Sequence, residues 1–489
     1  MRLSVYAPNV HLFAFQLCKT VEDSDRSAHL WNYYNRFLVD EFKLSYSFFP
    51  IATVEEERRI NLWNDPNQDN ILLPLEGILA NQTKITGCAC PLLIYDSYAL
   101  ALNLRIPEKD ADHQPTQPVP VEIFQEFNPH QCFCPQKINS NLGQTILLTA
   151  WLLEEQKDKH TQWQSIAESI LKNFLNDQNP PHLYQSGHLF GSPIYEFGSP
   201  KYPNQDGKIE HYLVWLFLDD AADQNLGDFY QEIVDLCFYR NKVTTAYQQS
   251  RLTFTKVKKE YCEIKDVFSS LSEKLPDQNQ TVLKTYLEEL KKDLRTLPKL
   301  NLDYTDQYDR LTNWHLTIQI NRDNYAEKID GIQRILPDED LSILSIFNTK
   351  IAKTLEDQIK GDLGYFDQGS YLVDKAIATI RGLVEIEQAE SDRKLQEQNQ
   401  ALQDHIQAIG FGIAAGAIVA STSGLMTEPW DFPNPKQLDL QFPLPFLIAL
   451  VGSFLCSFSA WKLARRWIKH QRNLEQLKSS QEKYCLKKK

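Results

Sequence analysis

The spacing of hydrophobic residues in the first half of the chain predicts a mixed α/β region. Residues 1–235 combine short apolar runs with polar turns and two amphipathic helical stretches. The helical stretches are residues 27–42 and 161–175, and the proline-rich segment 108–120 is expected to be a loop. Strands are predicted at residues 3–16, 84–95, 100–106, 144–149, 188–196 and 212–218.

A helical period replaces this pattern from about Asp228 to Gln407. Pro276, Pro298 and Pro337 lie in or beside sequences that start helices, so we expect breaks there between three or four long antiparallel helices. A further helix is expected from about Tyr371 into the next apolar run. At 1.5 Å per residue it would be about 80 Å long, which predicts a stalk.

Two uncharged runs follow the predicted stalk. Residues 406–427 and 440–461 are each 22 residues long and contain no charge. A bilayer core about 30 Å thick needs about 20 helical residues, so these runs predict a transmembrane hairpin in a lipid bilayer. The alternative is a pair of buried core helices, but such helices rarely stay uncharged over this length.

Charges beside the hairpin predict its orientation. Residues 462–489 hold ten basic and two acidic residues, a net charge of +8 in a chain whose total is −13. Basic flanks stay in the cytoplasm, so we expect a multi-pass protein of the inner (plasma) membrane with both termini cytoplasmic. The acidic remainder lacks the basic surface that binding of duplex nucleic acid requires, and no such partner is expected.

These observations give a predicted domain organisation. The domains are 1–235, a cytoplasmic α/β domain; 236–365, long antiparallel helices; 366–405, the stalk helix; 406–427, the first span; 428–439, the outer loop; 440–461, the second span; and 462–489, a basic cytoplasmic tail.

The first span carries small residues at every fourth position, on one helix face. They are Ala408, Gly412, Gly416, Ala420 and Gly424. Small residues let helix backbones approach closely in lipid, so we expect this face to pack against copies of itself, with the second span facing lipid. The alternative is that it packs on the second span of the same chain. Ser421 and Thr422 would place polar groups near the outer end of a pore.

The order of these parts resembles the CorA-like family of divalent-cation channels. The family's Gly-Met-Asn motif lies at the outer end of the first span, where this chain has Gly424, Leu425 and Met426. Glu428 and Trp430 follow in the outer loop. The resemblance implies a pentameric channel or transporter with the first span lining the pore. A divalent cation is the candidate cofactor, but the family's asparagine helps hold the hydrated cation, so its absence leaves the ion open.

Two other functions stay open beside this one. The same family includes effectors of prokaryotic antiviral defence, in which a cytoplasmic domain senses a nucleotide messenger. A small-molecule ligand is therefore a second possible partner of this chain. The third interpretation is a membrane-anchored scaffold that conducts nothing. The small residues of the first span favour an assembled channel or effector over a scaffold.

Four cysteines form two closely spaced pairs. They are Cys88 with Cys90 and Cys132 with Cys134. Four thiolates would hold a zinc ion, although two residues usually separate paired zinc ligands. Ordinary buried thiols are the favoured interpretation.

Three carboxylates follow the predicted strand 212–218, namely Asp219, Asp220 and Asp223. Carboxylates at a strand end are able to bind a divalent cation, but a loop that caps the next helix is favoured. The sequence contains no P-loop, HExxH or GxSxG motif, so no enzyme activity is predicted.

Overall fold

A computed structural model describes residues 3–18, 24–43, 59–62, 72–110, 112–138, 140–177, 180–203, 207, 209–273, 280–423 and 444–486. The strands are β1 (Ser4–Leu17), β2 (Arg59–Asn61), β3 (Leu73–Ile78), β4 (Lys84–Ile94), β5 (Ser97–Arg105), β6 (Val119–Pro120), β7 (Gly143–Trp151), β8 (Leu183–Leu189), β9 (Ser192–Phe197) and β10 (Tyr212–Phe217). The helices are α1 (Ser24–Phe42), α2 (Ile123–Glu126), α3 (Pro135–Ile138), α4 (Glu154–Lys157), α5 (His160–Leu175), α6 (Asp220–Asp228), α7 (Tyr230–Glu273), α8 (Gln280–Ile335), α9 (Ser342–Ile346), α10 (Lys353–Phe366), α11 (Gly369–Ser423) and α12 (Leu444–Leu486).

The chain divides into two compact units. The first unit comprises residues 1–275 and 295–374, and the second comprises residues 276–294 and 375–489. All of the strands described above belong to the first unit, whereas the two uncharged runs belong to the second.

A mixed sheet lies at the centre of the first unit. Its strand order is β2-β4-β5-β1-β7-β10-β9-β8, with β3 also paired to β4 and β6 to β1. β7 and β10 run parallel, and β1 lies antiparallel between β5 and β7. This topology confirms an α/β region in the first half of the chain.

Both faces of the sheet are covered by helices, because alternate side chains of each strand point to opposite faces. On one face, Leu12 and Ala14 of β1 join an apolar core with side chains of α1 and α5. On the other face, the rings of Phe13 and Phe15 pack on Tyr230 and Phe238 of α7, at centroid distances of 5.7 and 5.5 Å. The sheet is thus the middle of three layers.

Ion pairs join the long helices of the first unit. Each pair includes a buried carboxylate, and removing the partner of a buried charge is strongly destabilising. The pairs are Lys328–Asp235, Arg251–Asp362 and Arg322–Glu356. They fix the positions of α7, α8 and α10 relative to one another.

The predicted helix break at Pro298 is wrong. α8 runs through this proline from Gln280 to Ile335. Its buried apolar side chains repeat every seven residues and are at most 3% exposed, apart from Ile329, which lies off this repeat at 7%. The repeating residues in the first unit are Leu297, Tyr304, Leu311, Ile318, Tyr325 and Ile332. Packing of this apolar seam outweighs the loss of one backbone hydrogen bond at the proline.

The predicted single strand 188–196 is also wrong. The structure has two antiparallel strands there, β8 and β9, with Leu189 paired to Ser192. Phe190 and Gly191 form the turn with φ angles of 48° and 77°. Two-residue hairpins favour such positive φ angles because their twist matches that of the strands, and glycine adopts them without strain.

Candidate functional site

Two C-terminal helical stretches are apolar and long enough to cross a membrane. The first stretch ends at Ser421 in α11, and the second is Leu447–Gln471 in α12. The most apolar 18 residues of each stretch are 17% and 0% buried, respectively. Large side chains such as Ile413 and Phe454 are 67% and 72% exposed. Gly424 of the predicted small-residue stripe and the predicted outer-loop residues Met426, Glu428 and Trp430 lie outside the described residues.

The small-residue face of α11 packs on α12 of the same chain. A Cβ atom added to Gly416 would overlap Ser457 Oγ, and one added to Gly412 would lie 3.1 Å from the Ser457 carbonyl oxygen. The Ser453 hydroxyl donates a hydrogen bond of 2.6 Å to the Gly416 carbonyl oxygen. The expectation that this face meets copies of itself is therefore corrected in favour of packing within the chain, because α12 presents small polar residues there.

The outer members of the predicted stripe differ in burial. Ala408 is 1% exposed, whereas Ala420 and Ser421 are exposed, and the Ser421 hydroxyl donates to the Ile418 carbonyl oxygen at 3.0 Å. Thr422 follows Ser421 near the end of α11. The close contact with α12 thus involves Gly412 and Gly416, in the middle of the stripe.

Sequence reasoning missed the small face of the second span. Ser453 and Ser457 are four residues apart and share a helix face, and Ala460 and Ala464 continue it. All four are half-buried, whereas neighbours such as Phe454 are exposed. The four-residue spacing of small residues was the available signal.

A second seam lies on the opposite face of α11. Ala414 is two residues from both Gly412 and Gly416, which places it about 160° around the helix from each. The residues of this seam alternate spacings of four and three, a repeat of 3.5 residues, and all are exposed. They are Gln396, Gln400, Gln403, Gln407, Gly410, Ala414, Ala417 and Ser421. We call this set the amide seam.

A different polar cluster is buried in the first unit, where Glu196 of β9, His211 and Arg240 of α7 meet. Arg240 Nη2 donates to Glu196 Oε1 at 2.5 Å, and His211 Nε2 lies 3.4 Å from the same oxygen. Gln185 donates to the other carboxylate oxygen. These residues border a cavity of about 50 Å³.

Burial and charge set the protonation of this cluster. Burial alone would raise the pKa of Glu196, but the Arg240 charge and hydrogen bonds from His211 and Gln185 outweigh it and lower the pKa to about 2. Burial, aided by Arg240, lowers the pKa of His211 to about 4. At neutral pH, Glu196 and Arg240 are therefore a charged pair and His211 is neutral.

The structure does not bring the four paired cysteines together. Ala89 of β4 belongs to the apolar core between the sheet and helices α1 and α5. Its neighbours Cys88 and Cys90 therefore point to the other face of the sheet, whereas Cys132 belongs to the same core as Ala89. Burial raises the pKa of all four thiols, including Cys134, and to about 11 for Cys90. In the described parts of the chain no three His, Cys, Asp or Glu residues form a group able to hold a metal ion. The zinc interpretation is therefore corrected: these are protonated thiols in two separate places.

The three carboxylates after β10 begin α6. Asp219 Oδ1 accepts a hydrogen bond of 3.1 Å from the Ala221 backbone N–H, as an N-cap residue does. Asp220 and Asp223 lie in the first turn, where the helix dipole favours negative charge. Burial raises the pKa of Asp223, and the Asp220 charge adds to this effect. This geometry is that of a helix start.

Comparisons with known proteins add little to these observations. No protein-family model and no curated protein matches the chain. Among solved structures, the CorA magnesium transporter from Methanocaldococcus jannaschii matches with 15% identity, 66% of this chain, 90% of that chain and a TM-score of 0.17. The full-length CmaX protein matches with 14% identity, 66% of this chain, 89% of that chain and a TM-score of 0.15. At TM-scores this low, neither match establishes a shared fold.

Proposed function

We propose that this chain is a membrane protein that assembles around the amide seam into a homo-oligomeric channel or transporter, with the first unit as a regulatory domain. The observation that carries the proposal is the seam itself: one exposed face of α11 on which four glutamines lead into four small residues at a repeat of 3.5.

Lipid is the environment that suits the remaining apolar surface. Side chains such as Phe411, Ile418, Phe454 and Leu455 are 56%, 64%, 72% and 62% exposed. Contiguous exposed apolar surface on this scale marks a membrane or protein contact. Both helices satisfy their backbone hydrogen bonds internally, as a spanning segment must.

In this proposal the partner of the amide seam is the same seam on another copy of the chain. α12 already occupies the Gly412 and Gly416 face of α11. A repeat of 3.5 residues is the pattern by which helices pack side by side in a left-handed supercoil. Glutamine amides both donate and accept hydrogen bonds, so identical seams complement one another. The CorA-like resemblance suggests five copies.

A pore lined by this seam would be uncharged. Amide and hydroxyl oxygens are able to replace part of an ion's hydration shell, whereas Gly410, Ala414 and Ala417 would leave room for an ion that stays hydrated. By the same resemblance we propose a divalent cation as the transported ion.

Flux through reconstituted liposomes tests the function. We expect uptake of at least one ion among Mg²⁺, Co²⁺, K⁺ and Na⁺, and we expect Ala414→Phe to lower it about tenfold or more by filling the pore. Ala420→Phe is the matched control, since position 420 lies about 120° away on the helix. Equal flux in both variants would show that Ala414 does not line the pore, and no flux from an assembled oligomer would favour the scaffold.

The buried cavity favours a second candidate, a ligand-gated effector on the same assembly. A cavity of about 50 Å³ does not accommodate a nucleotide. The ligand of this second candidate would therefore be smaller than a nucleotide messenger. Flux that appears only after such a ligand is added would distinguish the effector from the constitutive channel.

A further inference from the structure

The cavity in the first unit is bordered by hydrogen-bond donors that have no acceptor. Arg240 and Trp215 both line it and are 3% and 1% exposed. Arg240 Nε, Arg240 Nη1 and Trp215 Nε1 are buried without a partner among the described residues. Buried N–H groups in native proteins are nearly always bonded, so an acceptor belongs in this space.

The acceptors around the cavity are already in use. Both carboxylate oxygens of Glu196 accept hydrogen bonds, from Arg240 and Gln185. His211 Nδ1 lies 2.8 Å from Thr145 Oγ1. The Tyr325 hydroxyl, also at the cavity, donates to the Leu344 carbonyl oxygen at 3.1 Å. The protein itself therefore does not complete these bonds.

The rest of the wall is apolar. It includes Leu147, Ile194, Leu213, Ile233, Leu236 and Phe347. The volume of about 50 Å³ exceeds the 10–15 Å³ or so that one water needs by this kind of measure. An apolar wall with a few converging polar groups is the usual composition of a small-molecule site.

Charge balance decides what kind of acceptor fits. Arg240 and Glu196 cancel one another, and burial keeps His211 neutral and raises the pKa of the Cys237 thiol to about 12. The lining therefore carries no net charge. An anion placed there would be an uncompensated buried charge, which is costly, whereas a neutral oxygen is not.

The helical segment beside the cavity is irregular. Residues Phe347–Ala352 form a π-helix, a rare conformation that is frequent at functional sites. Phe347 lines the cavity, and the Arg240 guanidinium lies 5.2 Å from its ring centre. Gly187 lets α9 approach β8, since a Cβ atom there would lie 2.9 Å from Ile343 Cδ1.

We propose that this cavity binds a small neutral molecule with an apolar body and an accepting oxygen, such as a cyclic ketone. The oxygen accepts from Arg240 and Trp215, and the hydrocarbon part packs on the leucine and isoleucine side chains. This site does not depend on the proposed pore, because binding is measured on the chain itself whether or not it conducts.

The test is a calorimetric titration of the full-length chain in detergent, with partition into empty micelles subtracted. The probes are cyclohexanone, methylcyclohexane and cyclohexanecarboxylate, which have a neutral acceptor, no acceptor and a charged acceptor. We expect one saturable site per chain for cyclohexanone, with binding of the other two weaker by about tenfold or more. Absence of saturable binding, or equal or tighter binding of either other probe, overturns the proposal.

Two variants and one control test whether this binding occurs in the cavity. Trp215→Phe keeps an aromatic ring but removes one donor, so we expect cyclohexanone binding about tenfold weaker. Trp151→Phe is the matched control outside the cavity and should leave binding unchanged. Leu344→Phe, at a half-buried lining position, should fill the space and abolish binding. Unaltered binding in Trp215→Phe and Leu344→Phe contradicts the assignment. A correctly folded Trp151→Phe variant that lost binding would contradict it as well.

Discussion

α8 and α11 are two long helices that both carry a seven-residue repeat, but the repeat of α8 is buried and that of α11 is exposed. On α8, the seam that includes Leu297, Leu311 and Ile332 is apolar and buried. On α11, the amide seam is polar in its first half, small in its second half, and exposed throughout. The two repeats thus differ in chemistry and in burial, and the proposed partner of the exposed repeat on α11 is another copy of the chain.

The largest expected effect separates the two faces of α11. Gly416→Leu should push α11 away from α12, because even a Cβ atom overlaps Ser457 Oγ. Spin labels at Ile418 and Phe454, which are both exposed, should report a distance longer by about 2 Å or more.

Gly410→Leu is the matched control for this spacing. No described atom lies within 4 Å of a Cβ atom at Gly410. The distance between the two labels should therefore stay unchanged, while the assembly of copies around the amide seam should suffer. A lengthened distance in Gly410→Leu, or an unchanged one in Gly416→Leu, would show that the two faces are assigned the wrong way round.

The next effect tests the buried seam of α8. Leu311→Ala should lower the free energy of unfolding by about 2–5 kcal/mol, because Leu311 is fully buried. Ile320→Ala on the same helix removes a side chain that is 58% exposed and should cost about 0.5 kcal/mol or less. Denaturant titration of both variants measures the difference, and similar losses would mean that the α8 seam does not carry its packing.

Acid should lower the free energy of unfolding of the first unit and leave assembly through the amide seam unchanged. Burial lowers the pKa of His211 to about 4 and that of His11 to about 3, from 6.5. Below pH 6.5 the unfolded chain binds these protons and the folded chain does not. Stability is therefore full above pH 6.5 and falls by up to about 1.4 kcal/mol per pH unit for each histidine down to its folded pKa.

His11→Asn should flatten this slope. Unfolding followed by circular dichroism between pH 7 and pH 4 would measure it, and native mass over the same range would follow the seam, which has no titratable residue. If the slope of stability against pH is the same in the wild type and in His11→Asn, then His11 does not contribute to the loss of stability in acid.

The smallest effect concerns an exposed ion pair on α11. Arg393 Nε lies 3.1 Å from Glu397 Oε1, and the two side chains are 80% and 62% exposed. Arg393→Ala should change stability by about 0.5 kcal/mol or less, since solvent screens such pairs. A loss of assembly in this variant would mean that contacts between copies extend beyond the amide seam.

Local patterns explain what the sequence could predict. β1, β4 and β10 follow from alternation and apolar runs, and the uncharged stretches of α11 and α12 follow from composition. The unbroken helix at Pro298 was not predictable in this way, because packing of residues such as Tyr304 overrides a local breaker. The strands and the uncharged stretches each depend on one segment of the chain, whereas the unbroken helix at Pro298 depends on the packing of its buried face.

Features that depend on pairing of distant residues escaped prediction. The contact of Gly416 with Ser457 requires knowing which helix face meets which. The cavity brings together residues far apart in sequence, such as Glu196 and Arg240, whose spacing carries no motif. The amide seam is a periodic pattern in the sequence, but so is the four-residue stripe of small residues on the other face, and only the structure shows which of the two is exposed.

The mass of the detergent-solubilised complex, measured by native mass spectrometry, tests the central claim most directly. The proposed assembly around the amide seam predicts a discrete oligomer of three or more copies, five by the CorA-like resemblance, which Gly410→Leu should disperse. A monomer or dimer would contradict it, since one seam per chain cannot enclose a pore with so few copies.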